Sequence, residues 1–135
     1  MKKRAFALAL AVCLLCVGAQ AQQAGRERKK NLVVREWNTK AGGGKPYLDN
    51  VVTYDAQGRK VEEVEYASYG QKKRTVYEYE GESARCTRQV EYDSKNHVSR
   101  IKKFEYNDDG TRRRQYNYKP GGTLESTKEF EYSYQ

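Results

Sequence analysis

Apolar and polar positions alternate through most of the chain, in stretches that each end on a tyrosine. The tyrosine recurs with spacings of 12, 13, 13, 14, 12 and 14 residues, at Tyr54, Tyr66, Tyr79, Tyr92, Tyr106, Tyr118 and Tyr132. Two residues before each lies another apolar residue: Val52, Val64, Tyr77, Val90, Phe104, Tyr116 or Phe130. The residue between the two is polar in every case. Alternation with a period of two is typical of a β-strand that packs one face.

Turn-forming residues separate these alternating stretches. Four residues after each of the first six tyrosines comes a glycine, asparagine or serine: Gly58, Gly70, Ser83, Asn96, Gly110 and Gly122. Glycine and asparagine tolerate positive φ, which the last residue of a bulged type I hairpin turn requires. We therefore assign structural turn roles to all of these except Ser83, which fits poorly because the glycine of its turn is Gly81.

Each unit of about 13 residues predicts one strand and one tight turn in a Tyr-x-x-x-Gly pattern. Because tight turns cannot make crossovers, neighbouring strands are expected to run antiparallel. The fold class is therefore all-β, an up-and-down meander of about eight strands. We place them near residues 31–38, 46–54, 59–66, 71–79, 84–92, 97–106, 111–118 and 123–132. A single twisted sheet and an open barrel both fit this pattern.

The odd spacings raise a question of register. Even spacings keep the tyrosines on one face if each turn pairs residues symmetrically, whereas a unit of 13 residues turns its tyrosine to the other face. The two 13-residue units must therefore contain either a bulge or a different loop to keep their tyrosines on that face. We expect β-bulges near residues 72–74 and 85–87.

The first 21 residues have the pattern of a cleaved secretory signal helix. Three basic residues at positions 2–4 precede an apolar run over 5–17, and Ala19 and Ala21 provide small residues for a signal peptidase. The run is shorter than the roughly 20 residues that span a membrane. We expect a signal peptide over 1–21, a flexible basic arm over 22–30 and a β-meander repeat domain over 31–135.

Export to the periplasm, the outer surface or the extracellular space follows from that pattern. Lipidation at Cys13 or Cys16 is the alternative, which is disfavoured because the bulky Val12 and Leu15 precede them. Removing three basic residues lowers the net charge from +8 to 8 − 3 = +5. This mild, interspersed charge indicates no dedicated nucleic-acid partner. Cys86 is then the one cysteine of the mature chain, which excludes an internal disulfide.

Two turn regions resemble the core of a YD repeat of the RHS type. The stretch from Tyr54 to Val61 reads Tyr-Asp-Ala-Gln-Gly-Arg-Lys-Val, and the stretch from Tyr106 to Arg112 is a looser copy. A signal peptide with a few such units is also similar to small exported proteins of Bacteroidota-type bacteria, whose function is not established. The resemblance covers about residues 47–132 and implies a fold of β-hairpins. In large RHS proteins the repeats enclose a toxin domain, a role that so few units cannot perform.

Eight aromatic residues are the candidate binding residues: Trp37, Tyr77, Tyr79, Tyr92, Phe104, Tyr106, Tyr116 and Tyr118. A row of aromatic rings on one face can stack on sugars or contact a protein. The alternative is that these rings pack the sheet itself, because a half-buried sheet face is the usual reason for aromatic residues with a period of two. Basic clusters such as residues 72–74 and 112–114 then pair across strands with the glutamates.

No set of residues fits a catalytic site or a metal site. His97 is the single histidine, and a metal centre needs several more ligands. Cys86 and His97 are expected at opposite ends of the sheet, too far apart for a nucleophile and its base. We therefore expect no enzymatic activity, no cofactor and no metal.

Three functions remain open at this point. The first is an exported, non-catalytic module that binds an unidentified protein or cell-envelope glycan through the sheet face or an edge strand. The second is a structural envelope protein that self-associates into homo-oligomers through its edge strands or its tyrosine face. The third is a small glycan-active enzyme, for which no acid–base pair is evident.

Overall fold

The protein is one open sheet of eight antiparallel strands joined as a meander. The computed structural model describes residues 23–135. Its strands are β1 (Val33–Asn38), β2 (Tyr47–Tyr54), β3 (Lys60–Ala67), β4 (Gly70–Tyr79), β5 (Cys86–Tyr92), β6 (Val98–Tyr106), β7 (Arg112–Tyr118) and β8 (Leu124–Glu129). Each strand pairs only with its sequence neighbours, so β1 and β8 are free edges. The predicted meander is confirmed, and the sheet does not close into a barrel.

The turns have the geometry that the residue types predict. In the β2–β3 turn, the Asp55 N–H donates to the Arg59 carbonyl at 2.9 Å and the Gly58 N–H donates to the Asp55 carbonyl at 3.0 Å. The same pair of bonds recurs in the turns that begin at Asp93, Asn107 and Lys119. Positive φ is found at all five assigned turn positions, including 66° at Asn96.

Loop length, rather than strand length, accounts for the odd tyrosine spacings. The β3–β4 turn has only two residues, Ser68 and Tyr69, between the paired Ala67 and Gly70. The β4–β5 turn is longer and contains Gly81 with a φ of 54°. A shorter loop and a longer loop therefore give the two odd units, while the advance from the partner of one closing tyrosine to the next closing tyrosine stays even.

A β-bulge occurs in every hairpin, including the two where the sequence predicted one. The pairing register shifts at the closing aromatic residue of the first seven strands. On the following strand, the residue directly after the partner of that aromatic residue is left unpaired. These unpaired residues include Lys72 and Thr87, at the predicted places. Because a bulge is present in every repeat, bulges do not explain why two of the tyrosine spacings are odd.

The closing tyrosines alternate between the two faces, so the prediction that they share one face is wrong. We call face A the side that carries Val64 and Val90, and face B the side that carries Val52 and Phe104. From the residue that pairs with one closing aromatic residue to the next closing tyrosine, the chain advances an even number of residues, as from Lys60 to Tyr66. The bulge adds one unpaired residue to that run, which turns the tyrosine to the opposite face.

Both faces of the sheet are only partly shielded from water. Buried side chains occur on either side, namely Val64 and Val90 on face A and Val52, Thr75, Phe104, Gln115 and Asn117 on face B. None of the larger side chains in the described part of the chain is completely buried. Since no second layer of described residues covers the sheet, its stability depends on contacts between neighbouring side chains across the strands.

A short helical turn over residues 23–27 precedes the sheet, within the stretch for which the sequence predicted a flexible arm. It lies against the β2–β3 turn, where the Arg26 carbonyl approaches Gly58. Lys29 lies over the ring of Tyr54 at 5.3 Å. The predicted signal peptide lies outside the described residues. Among residues 23–135 there is no helix that could span a membrane.

Candidate functional site

The eight candidate aromatic residues do not form one row. Trp37, Tyr92, Tyr116 and Tyr118 lie on face A, and Tyr77, Tyr79, Phe104 and Tyr106 lie on face B. The two sets also concentrate at opposite ends of the strands, because direction and face change together from one strand to the next. A single continuous aromatic platform across the sheet is therefore absent from the described residues.

The tyrosines of face B are fixed by hydrogen bonds to the neighbouring strand. The hydroxyl of Tyr79 donates to the Lys60 carbonyl at 2.7 Å, and that of Tyr106 donates to the Cys86 carbonyl at 2.6 Å. Lys60 and Cys86 are the first residues of β3 and β5. Tyr132 makes the equivalent bond to the first residue of β7 at 2.8 Å. Burial raises the pKa of Tyr79 to about 12.

Cationic side chains of the same sheet lie over many of the candidate rings. The distances from charged group to ring centroid are 4.7 Å for Arg59 over Tyr79, 4.7 Å for Lys60 over Tyr77, 4.2 Å for Arg74 over Tyr92, 5.8 Å for Arg85 over Tyr106, 5.3 Å for Lys103 over Tyr118 and 4.1 Å for Arg112 over Phe104. Such contacts contribute about 0.5–1 kcal/mol each at exposed sites. These contacts support a packing role for the rings and leave little of their surface for a ligand.

The charged residues pair across strands on both faces. Ion pairs join Arg74 to Glu62 at 2.9 Å, Lys73 to Glu65 at 3.1 Å, Arg88 to Glu78 at 2.6 Å, Lys102 to Glu91 at 2.7 Å and Arg114 to Glu129 at 2.9 Å. These pairs include members of two of the basic clusters noted in the sequence. The strand faces are therefore a mixture of both charges rather than a basic surface suited to nucleic acid.

The acidic residues at two of the turns accept hydrogen bonds from the turn backbone. Burial disfavours the ionised form of Asp55, but N–H donors of Arg59 and Gln57 and the Arg59 guanidinium outweigh it and lower the pKa of that carboxyl. At Asp93 the N–H groups of His97 and Lys95 lower the carboxyl pKa. These carboxylates thus stabilise backbone turns.

Cys86 and His97 lie at opposite ends of β5. Cys86 is half-buried in the position that Lys60 and Arg112 occupy in other strands, opposite a closing tyrosine. Burial raises the pKa of its thiol, which keeps it protonated near neutral pH. His97 lies beside the turn at Asp93, with its side chain 74% exposed. No group of three or more potential metal ligands occurs within residues 23–135.

The two outer strands expose most of the large apolar side chains. Of the eight such residues that are exposed, six lie on or beside β1 and β8: Leu32, Val33, Trp37, Leu124, Tyr132 and Tyr134. Trp37 is 61% exposed, and every residue of β8 is exposed. Of these six, only Trp37 was among the candidate binding residues. The sequence pattern alone does not show which strands form edges, because that depends on whether the sheet closes.

Both outer strands also present unpaired backbone groups. The Leu32 carbonyl accepts from the Tyr54 N–H, and the Phe130 N–H donates to the Arg113 carbonyl. Because backbone direction alternates along an antiparallel strand, Val33 and Arg35 direct their N–H and C=O groups outward from β1, and Thr127 and Glu129 do so from β8. Proline, a common protection of edge strands, occurs in neither.

A cleft of about 820 Å³ lies where the β1–β2 loop meets the end of β3. Its walls include Lys40 and Lys45 from the loop, and Tyr47, Leu48 and Tyr66 from the strands. Trp37 is the strand partner of Leu48 and so lies at the border of this cleft. The combination of aromatic rings and ammonium groups suits an anionic ligand with an apolar face.

Comparison with known proteins adds no relative to this description. No family model matches the chain, no curated protein is similar to it, and no solved structure resembles it.

Proposed function

We propose that the chain is an exported, non-catalytic interaction module that binds an extended segment of a partner protein along an edge strand. The observation that supports this is the pair of open edges, where unpaired backbone groups and exposed apolar side chains occur together. A segment that adds to such an edge makes main-chain hydrogen bonds and places alternate side chains against the apolar residues.

The faces of the sheet support this assignment by contrast. Their aromatic rings are covered by arginine and lysine, and many of their charged groups are already paired across strands. Within the described residues, β1 and β8 therefore carry backbone donors and acceptors that pair with no other strand. Export rests on the sequence pattern of residues 1–21, and cleavage would give a chain that begins at Gln22.

The test blocks the edges without breaking the sheet. Val33→Pro and Thr127→Pro each remove an outward N–H, and edge strands tolerate proline at such positions. The matched controls are Val33→Ala and Thr127→Ala, which keep the N–H. Envelope proteins of the cell that makes the chain are passed over each immobilised variant, and retained proteins are identified.

The expected result is a protein that the unmodified chain and the alanine variants retain and that the double proline variant loses. Circular dichroism must show the same strand content in all variants. Retention that is equal for the proline and alanine variants contradicts binding at the edges. Recovery of the chain from a membrane-free periplasmic or secreted fraction, with Gln22 as its first residue, tests export.

A cell-envelope glycan in the β1–β2 cleft is the second candidate, which the two lysines and two tyrosines of its walls favour. Trp37 is the single tryptophan, so its fluorescence reports on this region alone. Titration with an anionic envelope polysaccharide is expected to change that fluorescence, and Lys40→Gln with Lys45→Gln is expected to abolish the change. An unaltered response in the lysine variant, or none in the unmodified chain, counts against the glycan.

A further inference from the structure

Strand direction and the face of the closing aromatic residue alternate together across the sheet. Each strand reverses the direction of its predecessor and carries its closing aromatic residue on the opposite face, as Tyr92 on face A and Tyr106 on face B show. Eight strands are an even number, so a ninth strand beside β8 would have the direction and the facing of β1. A second copy, added by a rotation and shift along the sheet, supplies such a strand.

We propose that copies of this chain assemble head to tail, with β8 of one copy paired antiparallel to β1 of the next. This inference rests on the proposed function, because it names a second copy as the partner of both edges. The interface is heterologous: each copy uses two different edges, so that addition leaves a free edge at either end and does not close at two copies.

The repeat itself fixes the register of this interface. Trp37 and Tyr118 occupy equivalent places, since each closes an odd-numbered strand on face A and pairs at a bulge. Transferring the observed β6–β7 register to β8 and the next β1 sets three pairs opposite one another. They are Glu129 with Arg35, Lys128 with Glu36, and Phe130 with Val34 of the second copy.

Side chains and backbone both fit this register. Two pairs carry opposite charges, one on each face of the sheet, and the third is apolar. The pair of Glu129 and Arg35 extends the series Glu105–Arg114–Glu129, whose members lie opposite one another in β6, β7 and β8. Glu129 and Arg35 also both direct their backbone groups outward, as inter-strand hydrogen bonds between them require.

Two-fold pairing of like edges fits less well. When two copies of β1 lie antiparallel with their outward groups matched, the two central registers set Arg35 against Arg35 or Glu36 against Glu36. Two copies of β8 centred on Thr127 set Glu125 against Glu129 at two places, and copies centred on Ser126 set the apolar Leu124 against Lys128. Like charges directly opposite one another are destabilising, which favours the head-to-tail arrangement.

The experiment exchanges one charge on each edge. Glu36 and Lys128 have no ion-pair partner within residues 23–135 of their own chain, so reversing them leaves the intrachain pairs intact. Glu36→Lys alone and Lys128→Glu alone each place like charges at every interface. An equal mixture of the two variants restores opposite charges at each contact between unlike chains. Sedimentation velocity of the purified full chain, from micromolar to millimolar, measures the mass.

The expected mass of the unmodified chain rises with concentration beyond a dimer. Each single variant is expected to need about tenfold more protein to reach the same mass, and the mixture is expected to recover the unmodified behaviour. A monomer at all concentrations, a mass that stops at two copies, or single variants that assemble normally would each overturn the inference. If the chain stays monomeric while the double proline variant loses its envelope protein, edge binding stands and self-assembly fails.

Discussion

The hydroxyl of Tyr106 donates a hydrogen bond of 2.6 Å to the carbonyl of Cys86, the residue that opens the neighbouring strand. Tyr79 and Tyr132 make the same bond with their neighbours, so the contact recurs in the β3–β4, β5–β6 and β7–β8 hairpins. Tyr79, Tyr106 and Tyr132 therefore connect neighbouring strands beside the bulge. This bond accounts for tyrosine rather than phenylalanine at these three positions.

Tyr106→Phe is expected to lower the free energy of unfolding by about 1 kcal/mol, because the Cys86 carbonyl loses its donor while the ring keeps its contacts. Urea unfolding followed by circular dichroism measures the change. Tyr92→Phe is the control, because the Tyr92 hydroxyl has no hydrogen-bond partner in the described part of the chain. An equal loss in both variants would show that the tie contributes nothing specific.

Alanine variants at Gly58 and Gly122 distinguish the cost of backbone strain from the cost of a steric clash. Both have positive φ, 72° and 91°, but a Cβ at Gly58 would lie 2.2 Å from the Arg26 carbonyl oxygen, and one at Gly122 would meet no atom within 4 Å. Gly122→Ala is expected to cost about 1–2 kcal/mol for the left-handed conformation alone. Gly58→Ala is expected to cost more, since the helical turn over residues 23–27 must also move.

Limited trypsin digestion distinguishes the two effects. Detachment of the helical turn frees the backbone around the partly buried Arg26, so cleavage after Arg26 is expected to be faster in Gly58→Ala than in the unmodified chain. Gly122→Ala is expected to leave that cleavage rate unchanged. Equal rates in all three proteins would mean that the helical turn does not depend on Gly58.

Much of the fold follows from local signals in the sequence. The period-two alternation that ends at each tyrosine gave the strands, and the residues four positions later gave the turns, with the positive φ of Asn96 as one instance. The alternation of faces did not follow, because the bulge residues Lys72, Thr87, Ser99 and Arg113 share no residue type that marks them. Counting spacings under symmetric turns therefore placed the tyrosines on one face.

The open edges could not be predicted from the sequence for a different reason. Whether β1 meets β8 depends on the twist and curvature of the whole sheet, and no single unit encodes them. Trp37 was identified as a binding candidate because it is aromatic, whereas the backbone groups of Arg35 and Glu129 matter because the sheet stays open. The charges of β1 and β8 can be recognised as complementary only when the register shows which residues would lie opposite one another.

Val90 is the most buried of the apolar side chains, with 3% exposure, and it lies opposite Val76 and Ile101 on face A. Val90→Ala is expected to lower the free energy of unfolding by about 1–3 kcal/mol, through loss of apolar burial and an unfilled space. Val33→Ala, at an edge position with 39% exposure, is expected to change it by less than about 0.5 kcal/mol. Urea unfolding at a concentration where the chain is monomeric compares the two.

A similar loss in both variants would contradict the assignment of Val90 to the sheet's interior. It would indicate that the cross-strand apolar contacts on face A carry no more stability than an edge side chain.

Tyr79 is expected to make the protein sensitive to alkali. Burial raises the pKa of its hydroxyl to about 12, above the ordinary value of 10.0 that applies in the unfolded chain. The unfolded state therefore releases this proton first, and the stability that the neutral hydroxyl contributes is present below pH 10 and is lost as the pH rises towards 12. Tyr79→Phe removes the ionisable group together with its bond to the Lys60 carbonyl.

The variant is therefore expected to be less stable than the unmodified chain at pH 7, by about 1 kcal/mol for the lost hydrogen bond. Its urea midpoint is expected to fall less steeply at alkaline pH, so that the two stability curves converge between pH 10 and 12. Tyr132→Phe provides the control, since its ring is 52% exposed while its hydroxyl makes an equivalent bond. Curves for Tyr79→Phe that stay parallel to the unmodified protein through this range would show that burial does not hold the Tyr79 proton.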